Sequence, residues 1–186
     1  CLCHLLQNGI KMSKTLIIYS TVDYHTKRIS EFIAKYLDSK ESIKIVNLED
    51  INEYNLNHYD KIFLGASIRY GKFRKELYEF IKSNRSLLNK KITCFFGVNL
   101  VARKIEKNSP DTNPYIIKFL KKSNWKPQII DVFAGNLEYS KYKFFDKFII
   151  KFIMWITDGP TDTSKDYDFT DWDSVEVFAK KLNSIN

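Results

Sequence analysis

Short apolar runs alternate with helical spacings along most of the chain. Thr15–Ser20 (TLIIYS) is a β-branched run, the signature of a strand buried on both faces. Thr26–Leu37 follows with Ile29, Phe32, Ile33, Tyr36 and Leu37 along one side of a helix. The pair of signals then recurs. Strands are predicted over Ile43–Leu48, Lys61–Ala66 (KIFLGA), Ile92–Val98 (ITCFFGV) and Ile129–Ala134 (IIDVFA). Helices are predicted over Lys75–Leu88, Pro114–Ser123 and Trp172–Leu182. Strands separated by helices of this length imply parallel βαβ units with helices on both sheet faces, an α/β fold. The alternation breaks once, between Gly135 and Asp171, a gap too long for a bare connection. With no repeat or linker, residues 12–186 read as one domain carrying an insertion over 136–170.

The eleven residues before Met12 (CLCHLLQNGIK) lack the basic start and long apolar run of a signal peptide. They are expected to be an extraneous or disordered N-terminal segment. Cys1, Cys3 and His4 lack a fourth ligand, so no metal is expected there or elsewhere. A hydrophobic fraction of 44% fills one core and excludes wholesale disorder. Three cysteines cannot build a disulfide scaffold, and Cys94, inside an apolar run, reads as an inert buried thiol.

Thirty basic against twenty-two acidic residues give a net charge of +8, which favours an anionic partner. Ala102–Lys126 alone holds seven basic and two acidic residues. That stretch suits an anionic substrate or anionic lipids, and equally a solvated face. The charge is not gathered into a nucleic-acid recognition motif, so no nucleic-acid partner is expected.

Candidate chemistry gathers at predicted strand ends. Gly65, Gly97 and Gly135 lie at or just past the carboxyl ends of three strands, where open parallel sheets bind ligands. The loop after the first strand, Ser20-Thr21-Val22-Asp23-Tyr24-His25-Thr26, is rich in hydroxyls and opens a helix. A helix amino terminus presents unpaired N–H groups and partial positive charge, and can hold a phosphate without cationic side chains. The alternative is ordinary capping by Thr26, with Lys27 and Arg28 solvated. Neither G-x-x-x-x-G-K-[ST] nor G-x-G-x-x-G is present, which counts against P-loop hydrolysis and the usual dinucleotide fold.

This loop, in a five-strand alternation, resembles the flavodoxin family, where it wraps the phosphate of FMN. Gly65-Ala-Ser-Ile-Arg-Tyr-Gly71 and Val98-Asn-Leu-Val-Ala-Arg-Lys104, with Thr161-Asp-Thr163 and Thr170-Asp-Trp172, narrow the likeness. From about Lys14 to the end the chain is similar to the menaquinone-dependent protoporphyrinogen oxidases, a flavodoxin-derived family of haem synthesis. The resemblance implies a three-layer sandwich with a five-stranded parallel sheet in order 2-1-3-4-5, and a helical insertion after the fifth strand. It implies FMN with its phosphate at Ser20–Thr26. Its ring would lie between Ser67, Ile68, Arg69 and Tyr70 on one side and Gly97, Val98, Asn99 and Leu100 on the other, its polar edge read by backbone groups. Packing for Tyr70 and a turn role for Asn99 remain open. It further implies oxidation of protoporphyrinogen IX to protoporphyrin IX with menaquinone or ubiquinone as acceptor, at the cytoplasmic face of a bacterial inner membrane. Arg69 and Arg103 become candidates for the substrate's carboxylates, because guanidinium forks match them in two-point contacts. A flavodoxin-like electron carrier or quinone reductase without porphyrin activity is the alternative. One departure stands out: Tyr24 occupies a position where the family carries Gly, and a positive φ there would strain it.

Lys143–Asp158 (KFFDKFIIKFIMWITD) is the most unusual stretch. On a helical wheel Lys143, Asp146, Lys147, Lys151, Thr157 and Asp158 share an arc, interrupted by Ile150 and Met154. Phe144, Phe145, Phe148, Phe152 and Trp155 fall among the apolar remainder, too short a run to span a bilayer. The pattern suits a helix lying in an anionic membrane surface, with a packed helix or a contact between copies as the alternatives.

Overall fold

The protein is described by a computed structural model covering residues 13–38, 41–69, 71–142, 144–157 and 159–185. The expectations for the first eleven residues and for Tyr70 lie outside the described residues.

Five strands form one parallel sheet: β1 (Lys14–Ser20), β2 (Ser42–Asn47), β3 (Lys61–Ser67), β4 (Ile92–Val98) and β5 (Ile129–Phe133). Their order is β2-β1-β3-β4-β5, as expected. Strand pleating sends alternate residues to opposite faces. Leu16, Ile18, Leu64 and Phe95 therefore pack beneath α2 (Lys75–Leu88) and α3 (Pro114–Ser123). Ile17, Phe63 and Phe96 pack beneath α1 (His25–Tyr36) and α5 (Trp172–Asn183). Each face is closed by aromatic contacts; Phe95 stacks on Phe119 of α3 with ring centroids 4.1 Å apart.

The insertion after β5 forms an arm. Strands β6 (Asn136–Glu138) and β7 (Asp166–Asp168) pair antiparallel at its base, and α4 (Phe144–Ile156) lies between them in sequence. This small sheet has no counterpart in the sequence expectations, because three-residue strands are too short for a period to register. Buried Leu137, Tyr139 and Met154 form the arm's own core, and Tyr139 donates its hydroxyl to the carbonyl of Pro160 at 2.9 Å.

Helix α4 docks through the arc read as polar. Met154 is 2% exposed and Ile150 is partly buried, so the two residues that interrupt that arc carry the contact. Asp146 and Lys147 are carried half under with them. The aromatic arc is left outside: Phe145 is 80% exposed, Phe148 70% and Trp155 68%, with Phe152 also exposed. The side chain of Phe144 lies outside the described residues. Among the described residues no helix is long and apolar enough to cross a membrane.

Candidate functional site

The carboxyl ends of β1, β3, β4 and β5 share one edge of the sheet, since Ser20 pairs with Ala66, Ser67 with Val98, and Val98 with Phe133. Strand order reverses between β1 and β3, which opens a crevice at that edge. A cavity of about 200 Å³ lies there. The β1–α1 loop contributes Thr21, Asp23 and His25, and the loop after β3 contributes Ser67, Ile68 and Arg69. Val98, Asn99 and Leu100 close it from β4, and α4 walls its outer side with Ile149, Ile150, Ile153 and Met154.

The loop end is built to accept something. Tyr24 stands at the N-cap of α1 with φ 60° and ψ −7° and offers no side-chain cap; no acid occupies the first turn. Chain geometry leaves the first N–H groups of any helix without intrahelical partners. The Thr21 and Thr26 hydroxyls are both buried and without a hydrogen-bond partner. An orphaned buried hydroxyl costs about 1–3 kcal/mol. Two of them beside an uncapped helix start fit the oxygens of a phosphate group. Thr26 therefore does not cap the helix through its side chain. Ser20 is buried and accepts a 3.5 Å hydrogen bond from the Ser67 hydroxyl through its carbonyl. Val22 and Tyr24 point outward, with Tyr24 71% exposed. The strain foreseen for Tyr24 is present, since its φ lies in the left-handed region.

Charges around this end are arranged in pairs. Asp23 meets Arg69 across the cavity mouth at 3.4 Å; burial raises the Asp23 pKa against the pull of that guanidinium. Arg28 pairs with Asp168 at 3.1 Å and lies over the Trp172 ring. His25 Nε2 is 2.6 Å from the Thr170 hydroxyl, which itself donates to the carbonyl of Ala134 at 2.9 Å. That hydroxyl has one proton and gives it to Ala134, so His25 must donate from Nε2. Burial lowers the His25 pKa from its ordinary 6.5, although Asp168 lies 3.8 Å away. His25 is therefore neutral near pH 7, with Nδ1 left as an acceptor.

The other expected residues divide. Ile68, Arg69, Val98 and Leu100 line the cavity, but their neighbourhood is more internally bonded than the resemblance implied. The amide of Ile68 donates to Val98 O, that of Arg69 to Lys72 O, and that of Asn99 to Phe133 O. These three N–H groups are engaged within the protein rather than presented to a flavin edge. The Asn99 side chain accepts from the Ala102 amide at 3.1 Å and contacts Asn113, holding the turn Leu100–Arg103. Its turn role is thus the realised one. Gly97 does not reach the cavity; a Cβ there would lie 2.4 Å from Ile116 Cδ1, so the position makes room for α3. Arg103 lines the cavity, yet its guanidinium donates to Leu100 O at 2.9 Å and to the carbonyl and hydroxyl of Thr157, each at 2.8 Å. It clamps the end of α4, and a substrate carboxylate would compete with these bonds. Asp162 accepts from the Ser164 amide and hydroxyl, so the segment Thr161–Thr163 is a capped turn outside the cavity.

Several lining residues carried no local signal in the sequence. Tyr115, Asn136, Tyr142 and Thr157 come from elements distant in the chain, and only the topology unites them. Thr170 and Asp168 are likewise joined to His25 across 145 and 143 positions by the return of the arm. The repeated threonine–aspartate pairs near the C-terminus were the one available hint.

Comparisons with known proteins agree with this architecture. The flavodoxin domain family matches residues 16–164. The chain is 46% identical over 174 residues to the protoporphyrinogen IX dehydrogenase (quinone) of Leishmania major, covering 92% of this chain and 75% of that one. It is 42% identical over 170 residues to the enzyme of the same name from Escherichia coli K12, covering 91% and 94%. Among solved structures, oxidised flavodoxin 1 from Bacillus cereus superposes with a TM-score of 0.54 at 15% identity, covering 94% of this chain and all of that one. The last likeness concerns the fold alone. Sheet order, crevice and sequence identity together show that the chain belongs to the flavodoxin-domain family, among the protoporphyrinogen IX dehydrogenases (quinone).

Proposed function

We propose that this protein is an FMN-dependent oxidoreductase that converts protoporphyrinogen IX to protoporphyrin IX in haem synthesis. Its electrons pass to a membrane quinone, menaquinone by preference. The observation that carries the reading is the orphaned Thr21 hydroxyl lining the crevice cavity, with the orphaned Thr26 hydroxyl buried behind it at an uncapped helix start. The relatives' name supplies the substrate and acceptor. FMN, once bound, supplies the redox chemistry. Six hydrogens leave the macrocycle, so three quinones are reduced to quinols for each porphyrin formed.

The chain's own contribution is placement. Thr21 and Thr26 donate to the phosphate, assisted by the first α1 amides. The His25–Thr170–Ala134 chain ties the start of α1 to the end of β5, which keeps that cradle fixed. Ile149, Ile153 and Met154 make the outer wall apolar and exclude water from the reacting face. Helix α4 lies on an anionic membrane through Phe145, Phe148, Phe152 and Trp155, which brings the wall next to a lipid-soluble acceptor.

Anaerobic protoporphyrinogen IX is given to the FMN-loaded protein with a menaquinone analogue, and porphyrin fluorescence is followed. A quinone-dependent rise well above autoxidation is expected. FMN binding with no such rise would reduce the protein to a flavodoxin-like electron carrier or quinone reductase.

A further inference from the structure

A second hollow of about 350 Å³ adjoins the first. The two share Ile68, Gly71 and Tyr115 among the described residues, so these lie on the boundary between them. That turn is tight. Arg69 and Lys72 form an antiparallel bridge, each amide donating to the other's carbonyl at 3.1 Å, and Gly71 sits at φ 73°. Its geometry sends Arg69 to the first cavity and Lys72 to the second.

The floor of the second hollow is aromatic, from Phe73, Tyr78 and Tyr115. Its rim is cationic, from Lys72, Lys75, Lys118 and Lys122, and among the described residues no acid lines it. Lys75 is engaged by Glu79 at 2.8 Å, and Lys122 lies over the Tyr78 ring at 4.3 Å. Among the described residues Lys72 and Lys118 have no ion pair. The nearby start of α3 is not the anion-binding element, because Asn113 Oδ1 already accepts from the Tyr115 and Ile116 amides. The positive charge available here is that of the lysines. An aromatic floor with a cationic rim selects a flat apolar ligand bearing anionic groups at its edge.

We propose that this hollow is the carboxylate subsite for the tetrapyrrole: the macrocycle lies over the mouth of the first cavity while its propionate edge crosses Tyr115 to Lys72 and Lys118. The assignment rests on the proposed substrate. It moves carboxylate recognition away from Arg103, whose donors hold α4. Lysine ammonium groups on flexible stems suit this task, since they can follow two carboxylates carried on flexible propionate arms.

The test titrates FMN-loaded protein with protoporphyrin IX and, separately, its dimethyl ester, read by porphyrin fluorescence in neutral detergent. Wild type should bind the free acid about ten-fold more tightly than the ester at low salt, a preference that shrinks in concentrated salt. Lys72→Glu with Lys118→Glu should abolish the preference, leave ester binding unchanged, and raise KM for the porphyrinogen about ten-fold with kcat little altered. Lys72→Arg with Lys118→Arg should retain all three. A charge-reversed protein that still prefers the acid, with unchanged KM, overturns the lysine assignment while a catalytically active wild type leaves the substrate intact. A wild type that neither binds nor oxidises the tetrapyrrole overturns both.

Discussion

Among the described residues, two threonine hydroxyls at the β1–α1 loop are shut away from solvent with nothing to bond, whereas on α4 five large apolar side chains face solvent outside the cavity. The two regions bound the same cavity. One is polar and too enclosed; the other is apolar and too open. Each carries a cost in the isolated chain, about 1–3 kcal/mol per orphaned hydroxyl and about 1.5–3 kcal/mol forgone per uncovered side chain. Helix α5 shows that this is no general property of the fold. It is also amphipathic, and Val175, Phe178, Ala179 and Leu182 are all buried against the sheet. A fold that buries the apolar face of α5 yet leaves that of α4 bare and Thr21 unbonded fits the proposed reading, in which an apolar surface meets one end and an anion the other.

The largest effect should come from the open end. Phe148→Ser, Phe152→Ser and Trp155→Ser together should lower binding to anionic vesicles by about 100-fold or more, measured by sedimentation. Folding stability should hardly move, because surface substitutions usually stay within about 0.5 kcal/mol. Phe178→Ala on α5 is the contrast and should cost about 3–5 kcal/mol in chemical denaturation. Vesicle binding that survives the triple change, with dimerisation lost instead, would make the bare face a contact between copies.

The enclosed end is next. Thr21→Val and Thr26→Val keep volume and branching but remove the hydroxyls, so each should weaken FMN about ten-fold. Riboflavin, which has no phosphate, should bind both variants as it binds wild type. Equal weakening of the two flavins would place the phosphate elsewhere and leave the orphaned hydroxyls without a ligand.

Legibility in the sequence followed the range of the interactions. The strands were readable because each is buried on both faces and so runs apolar, as in TLIIYS and ITCFFGV. The helix of the arm was readable from its aromatic arc, and the β1–α1 loop stood out as a candidate phosphate site from its hydroxyls. What could not be read was set by contacts between distant positions. The buried ion pair of Lys61 with Glu41, at 2.6 Å, depends on two strands being brought together by the sheet. The same holds for Thr170 against His25, and for the bonds that occupy Arg103 and Asn99. An arginine in a ligand-rich loop looks available until the end of α4 is seen to use its donors.

Tyr24 belongs to the enclosed end and gives the smallest and most discriminating effect. It holds φ 60° where glycine would sit without strain, and its exposed ring packs little. The left-handed backbone costs a tyrosine roughly 1–2 kcal/mol, while glycine returns about 0.5–1 kcal/mol of that through the freedom of the unfolded chain. Tyr24→Gly should therefore stabilise the FMN-free protein by about 1 kcal/mol or less in urea denaturation. If the loop only cradles the phosphate, FMN affinity should rise slightly or stay level, because the path already observed becomes easier to hold. A loss of FMN affinity in a more stable protein would mean that the ring itself covers the flavin from outside. The strained backbone would then be retained for a contact that glycine cannot make.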